Sequence, residues 1–293
     1  MGGMGKSRLL AIALSASAVL MSLGAIGAGT SSAAACTLSG TGTSVTRTLA
    51  GRSYLLHVPA NLTGASVPLL LGLHGYGEPT TLEESQSGWS TYADAHDFIV
   101  AYPAGLARFP YIPSWDWAKD SIDVAFLRSV VADIAATYCV DPARVHASGI
   151  SNGALMALRL ACDAPDLFAS IHAHAGGDPI IPSPTAWTGS ACTPSRPIGL
   201  AITQAIADPL SPYPAGLLTR NNWLARDGCP STGTSEPGVL IEAITYKPCA
   251  AGVEVLWRVY PQSHHWPVNQ PLANDADDLH DRVWGLFTRN PRP

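Results

Sequence analysis

The sequence predicts an α/β domain in which a mostly parallel sheet carries helices on both faces. Three observations predict it. Continuous apolar runs, broken only by His74 near the end of the first, at 67–75 and 98–103 read as short strands buried on both faces. Helical spacing of apolar residues recurs over 123–138 and 152–165. The two kinds of segment alternate along the chain at the spacing of βαβ units, which calls for parallel pairing and crossover helices.

Taken in order, residues 52–59 alternate between apolar and polar and predict an antiparallel opening strand. Buried strands follow at 67–75 and 98–103, a helix at 123–138, a strand at 144–150 and a helix at 152–165 that leaves it at once. Further strands are expected at 168–176, 196–205 and 253–260, with a closing helix at 276–289. Residues 182–197 and 227–238 carry the Pro, Gly, Ser and Thr of loops. No repeat at solenoid periods appears. Sites in such sheets form on the loops at the carboxyl ends of the strands.

The start of the chain has its own pattern. Lys6 and Arg8 precede an uncharged run from Leu9 to Ala28, and the small residues Ser32 to Ala35 follow. This predicts a secretory signal peptide over 1–35, cut before Cys36, and a single domain over 36–293. A retained membrane anchor and a lipid-modified Cys36 are the alternatives. Ala33 stands where a lipoprotein signal carries a larger aliphatic residue. The 258 residues after the cut suffice for one well-buried core.

The whole chain carries a net charge of −5, and without Lys6 and Arg8 the remainder carries −7. Mild acidity offers no electrostatic footprint for nucleic acid and no attraction to anionic membranes. No second apolar run is long enough to span a bilayer, so a soluble, extracellular mature form is expected. Cys36, Cys139, Cys162, Cys192, Cys229 and Cys249 all lie in the exported part, and an even count there predicts three disulfides among 15 possible pairings. No C-x-x-C occurs, which speaks against structural zinc and thioredoxin-type chemistry.

Gly149-Ile150-Ser151-Asn152-Gly153 is a G-x-S-x-G sequence placed between an expected strand and an expected helix. That context is the one a nucleophile elbow requires, and it specifies the α/β-hydrolase fold. A sharp turn lifts the Ser151 hydroxyl above the sheet, and side chains two residues before and after it would collide. The backbone N–H of Asn152 is then one expected oxyanion donor. The second is expected from Tyr76, in the turn that ends the strand at 67–75, where Gly75 allows a close approach.

In this fold an acid and then a histidine follow the serine along the chain. Asp208 comes just after the strand at 196–205 and precedes Pro209, which forces a turn. Its role is to orient the imidazole and stabilise the imidazolium. Five histidines follow Ser151: His172, His174, His264, His265 and His280. His264 and His265 lie in the turn after the strand at 253–260, where the base belongs. His172 and His174 alternate on one strand and share a face, but no third metal ligand accompanies them. His280 falls in mid-helix and reads as a surface residue.

Residues 141–177 resemble the elbow region of the polyhydroxybutyrate-depolymerase and feruloyl-esterase family. The segments at 73–78, 120–134, 207–213 and 263–267 resemble its oxyanion loop, the helix before its elbow strand, its acid loop and its base loop. The resemblance covers about residues 50–290. It implies Ser151 as nucleophile, Asp208 as acid and His264 as base, with His265 at the variable position before Trp266 and Pro267. Two departures stand out. Ser263 replaces a glycine common before the base, which leaves His265 as an alternative. Residues 205–209 lack the His-Gly-Thr lead often seen before the acid. The resemblance also implies disulfides Cys162–Cys192, Cys229–Cys249 and Cys36–Cys139.

The expectation is therefore a secreted carboxylic ester hydrolase working through an acyl-enzyme, with no metal or organic cofactor. Trp115, Trp117 and Trp266 are candidates to line its substrate site. The length after 35 leaves no room for a polymer-binding domain, which favours feruloyl or acetyl esters, with short polyesters close behind. An acyltransferase on the same scaffold and a non-catalytic secreted binding protein are the alternatives.

Overall fold

The computed structural model describes residues 2, 36–108, 111–177, 192–236, 241–268 and 279–293. The expected signal segment lies outside the described residues apart from Gly2, as does most of the loop expected at 182–197. Residues Cys36–Pro293 form one compact unit.

Its strands are β1 (Val45–Leu49), β2 (Arg52–His57), β3 (Val67–Leu73), β4 (Ile99–Pro103), β5 (Leu106–Arg108), β6 (Ile112–Ser114), β7 (Val140–Ile150), β8 (Ser170–His174), β9 (Gly199–Ala205), β10 (Thr234–Ser235), β11 (Glu242–Tyr246) and β12 (Val255–Tyr260). The helices are α1 (Thr80–Ser87), α2 (Trp89–His96), α3 (Ile122–Ala135), α4 (Asn152–Asp163), α5 (Tyr213–Arg226) and α6 (Leu279–Arg289). Ten strands form one sheet in the order β1-β2-β4-β3-β7-β8-β9-β12-β11-β10, while β5 and β6 make a separate hairpin. The centre, from β4 to β12, is parallel, and the outer strands pair antiparallel. Every residue of β3, β4, β8, β9 and β12 is buried, as strands covered on both faces must be, and β3 and β4 are continuous apolar runs.

Two apolar layers cover the sheet. On one face Leu69, Leu71, Ala147, Ile171 and Ile202 pack with α3, α4 and Trp223 of α5. On the other Leu70, Val100, Ile150, Ala201 and Leu256 pack with Trp89 of α2 and with Val283, Trp284 and Phe287 of α6. Three disulfides, Cys36–Cys139, Cys162–Cys192 and Cys229–Cys249, join all six cysteines.

Several elements depart from the sequence reading. β1, β5, β6, β11, α1, α2 and α5 were not expected, and β10 lies within the expected loop at 227–238. α1 hides its periodicity because its buried positions are Glu83 and Ser87 rather than apolar residues. His280 is not a surface residue. It is buried on α6, its Nε2 donates to the Ser87 carbonyl at 2.6 Å, and its ring stacks on Tyr92.

Candidate active site

The site is built where β7 ends. Ser151 separates β7 from α4 and holds φ 55° and ψ −118°, a left-handed conformation that costs energy for any side chain. Two glycines make the turn feasible. A Cβ on Gly149 would fall 2.4 Å from the Gly153 carbonyl oxygen, and one on Gly153 would fall 2.0 Å from the Leu73 carbonyl oxygen. The start of α4 therefore sits directly on the end of β3. That contact brings Tyr76, in the turn after β3, beside Asn152, the first residue of α4. Both line one cavity with Ser151.

Two side chains, half-buried Glu78 and buried His74, fix the turn after β3. Glu78 accepts the Gly75 N–H at 2.9 Å. The ring of His74 donates from Nδ1 to the Gly75 carbonyl at 2.7 Å and accepts the Gly105 N–H on Nε2 at 2.9 Å. Burial pushes this imidazole below its usual pKa, which suits a neutral ring with one donor and one acceptor nitrogen. The side chain of Asn152 holds the backbone of Trp115. Its Oδ1 accepts the Trp115 N–H at 2.7 Å and its Nδ2 donates to the Trp115 carbonyl at 3.3 Å.

Asp208 follows β9 and is buried. Burial works against its charge, but His264 Nδ1 at 2.7 Å and the N–H groups of Leu210 and Ser211 at 2.8 Å hold the carboxyl below its ordinary pKa. His264 itself comes from the turn after β12 and reaches the same cavity as Ser151. His265 is exposed, and its carbonyl accepts Nε2–H of His174 at 3.0 Å. Five strand ends, those of β3, β7, β8, β9 and β12, and the start of α4 thus converge on one cavity of about 560 Å³.

The tryptophan expectations need correction. Trp117 lines the cavity, but Trp115 and Trp266 do not. Each is 3% exposed. The indole of Trp115 donates to the His74 carbonyl at 3.0 Å, and that of Trp266 to Glu83 at 3.2 Å. An indole N–H needs an acceptor when buried, and these two found theirs inside the protein rather than at the substrate surface. Sequence reasoning missed Leu155, Leu210, Pro212 and Ala215, which line the cavity. Leu155 had a signal: four residues after Ser151 it returns to the same face of α4. The others carried none.

Among the described residues no cluster of three or more His, Cys, Asp or Glu could hold a metal ion, and no helix is long and apolar enough to cross a membrane.

A family model described as "Putative esterase" matches residues 52–284. The "Poly(3-hydroxyalkanoate) depolymerase C" of Paucimonas lemoignei is 32% identical over 127 residues, covering 41% of this chain and 30% of that protein. The "Probable feruloyl esterase C" of Aspergillus oryzae is 28% identical over 252 residues, covering 80% of this chain and 83% of that protein. Relatives of both names thus meet the resemblance read from the motifs. The chain spans less than half the length of the first curated relatives it matches. Among solved structures, "Acetyl xylan esterase from Aspergillus awamori" shares the fold at a TM-score of 0.65 and 16% identity, covering 84% of this chain and 99% of that one. The sheet and its helices are those of the α/β-hydrolase fold.

Proposed function

From the premise that this chain belongs to the esterase family, we propose that it is a secreted hydrolase of carboxylic esters in which Ser151, His264 and Asp208 act as a triad. The 2.7 Å bond between His264 Nδ1 and Asp208, on the wall of the cavity that holds Ser151, carries this reading.

The chemistry follows from the roles of the groups. Ser151 Oγ attacks the ester carbonyl while His264 Nε2 takes its proton. Asp208 stays ionised, keeps the proton of His264 on Nδ1 and stabilises the imidazolium. The N–H groups of Asn152 and Tyr76 receive the charge that develops on the carbonyl oxygen. His264 returns its proton to the departing alcohol, and a water activated by the same ring releases the acid from Ser151. The lining supports a neutral acyl group, because Leu155, Ala175, Leu210, Pro212 and Ala215 bring no charge to it. Feruloyl, acetyl and short polyester substrates fit that description. The pairing of all six cysteines supports an oxidising destination, with residues 1–35 as the export signal.

The test compares turnover of methyl ferulate, acetylated xylan, p-nitrophenyl butyrate and polyhydroxybutyrate films by the mature protein and by Ser151→Ala. Turnover of at least one ester, lost in the variant, is expected. An equally active, folded variant overturns the mechanism.

A further inference from the structure

Beneath the site, the sheet face that meets α2 and α6 carries polar side chains where apolar ones would pack. Ser148 on β7, His172 and His174 on β8 and Thr203 on β9 are all buried. The register explains their meeting: Ser148 is the strand partner of His172, and His174 of Thr203. The contacts form one line. Trp89 Nε1 lies 3.1 Å from Ser148 Oγ, which lies 2.9 Å from His172 Nδ1. His172 Nε2 lies 2.9 Å from Thr203 Oγ1, which lies 2.7 Å from His174 Nδ1. His174 Nε2 ends the line 3.0 Å from the carbonyl oxygen of His265.

The two ends fix the direction of every bond. An indole N–H only donates and a carbonyl only accepts. His174 must therefore carry its proton on Nε2 to reach the His265 carbonyl. Its bare Nδ1 takes the single hydroxyl proton of Thr203, which leaves the Thr203 oxygen to accept from His172 Nε2. The bare Nδ1 of His172 then takes the proton of Ser148, whose oxygen accepts from Trp89. Both rings are neutral in this scheme. Burial agrees with that, pushing His174 down to about 4 and His172 well below its ordinary value.

His174 also touches the nucleophile. Its backbone carbonyl accepts the N–H of Ser151 at 3.0 Å, so one residue holds the elbow by its main chain and the turn beside His264 by its side chain. We infer that this one-way hydrogen-bond chain sets the distance between the nucleophile and the base, with His174 and Thr203 as positioning residues for the ester hydrolysis proposed above, on which the inference rests. Thr203 is the directional link: without its hydroxyl, His174 Nδ1 has no donor, and a proton on Nδ1 would leave the His265 carbonyl facing a bare nitrogen.

The test has three arms. In the intact protein at neutral pH, side-chain nitrogen NMR is expected to show His172 and His174 both protonated on Nε2 alone. A proton on Nδ1 of His174 overturns the chain. In Thr203→Val, p-nitrophenyl butyrate hydrolysis is expected to lose about tenfold or more in kcat, as loss of a buried hydrogen bond would cost, with KM nearly unchanged. The Nδ1 proton signal of His264 should shift as well, and Thr203→Ser should recover both. Full kcat in a folded Thr203→Val overturns the positioning role while Ser151→Ala remains inactive, whereas activity in Ser151→Ala defeats the esterase mechanism instead. Should Thr203→Val not fold, His174→Gln replaces it: its amide can donate to the His265 carbonyl, so it should retain more kcat than His174→Phe, and equal kcat in the two overturns the inference.

Discussion

The indole of Trp266 donates to Glu83 across 3.2 Å, tying the turn that carries His264 to the helix that follows the Tyr76 turn. Both partners are buried, and neither meets the substrate cavity. Burial pushes the Glu83 carboxyl well above its ordinary pKa, against the smaller effect of the Trp266 bond. The folded protein thus holds this proton more tightly than the unfolded chain does. Such a group contributes its full stability below its unfolded value of about 4.3 and loses it as pH rises through the folded value. Glu83→Gln keeps an acceptor for the indole and cannot ionise. Its Tm relative to the parent should therefore rise between pH 5 and pH 9, and a constant or shrinking difference would contradict the assignment. Glu83→Leu leaves the indole unpartnered and should cost about 1–3 kcal/mol near pH 5, a cost that shrinks toward pH 9 as the parent loses stability.

The two adjacent histidines differ in what they hold. His264 bonds Asp208 through its ring, while His265 contributes its carbonyl to His174 and leaves its side chain exposed. His264→Ala should lower kcat by about a thousandfold or more, and Asp208→Asn by up to about ten thousandfold through the wrong tautomer. His265→Ala keeps the carbonyl and should lose less than about threefold. Steady-state kinetics on p-nitrophenyl butyrate decides the ranking, and the reverse order would make His265 the base.

Gly153 bears on fold and activity together. A methyl group there would need the space of the Leu73 and His74 carbonyl oxygens, at 2.0 and 2.6 Å. Those are backbone atoms at the end of a fully buried strand, so they cannot turn aside. Gly153→Ala should destabilise by at least about 1–3 kcal/mol and separate the turn after β3 from α4. Denaturant titration reads the first effect and kcat the second. A variant with parental stability would contradict the close packing.

What the sequence disclosed follows from which residues must be apolar. β3 and β4 are apolar throughout and buried on both faces, so their runs could be recognised without knowing the fold, whereas β8, β9 and β12 are equally buried but interrupt their apolar residues with His172, His174, Thr203, Gln204 and Arg258. The Ser151 turn was legible because it needs glycine at two fixed offsets, and Asp208 because it stands just past a strand before a proline. α1 and α2 were not legible. Their inward residues include Glu83, Ser87 and Ser90, and Ser90 is satisfied by Glu84 and Tyr102, contacts that no local pattern announces. Trp115 and Trp266 misled for a related reason. Proximity to a motif in sequence says nothing about which way an indole turns, and both turned toward buried acceptors. The histidines of β8 share a face in the sequence, but their partners there, Ser148 and Thr203, come from β7 and β9 and carry no local signal.

The cavity also predicts a preference among acyl groups. Its wall carries Leu155 from the first turn of α4, Ala175 after β8, and Leu210, Pro212 and Ala215 around the start of α5. Among the described residues that line it there is no Lys, Arg, Asp or Glu. A neutral acyl chain loses only water from an apolar surface on entering. A carboxylate entering the same space loses hydration and meets no cation, and an unpaired charge in an apolar site is costly. Methyl butyrate and monomethyl succinate share their alcohol and nearly share their length, so they isolate this effect. The neutral ester should have a kcat/KM at least about tenfold higher, equivalent to about 1.4 kcal/mol of transition-state binding. Leu155→Lys, which places a cation on that wall, should narrow the ratio chiefly by improving monomethyl succinate. Equal rates for the two esters in the parent protein would show that the acyl group lies outside this apolar wall.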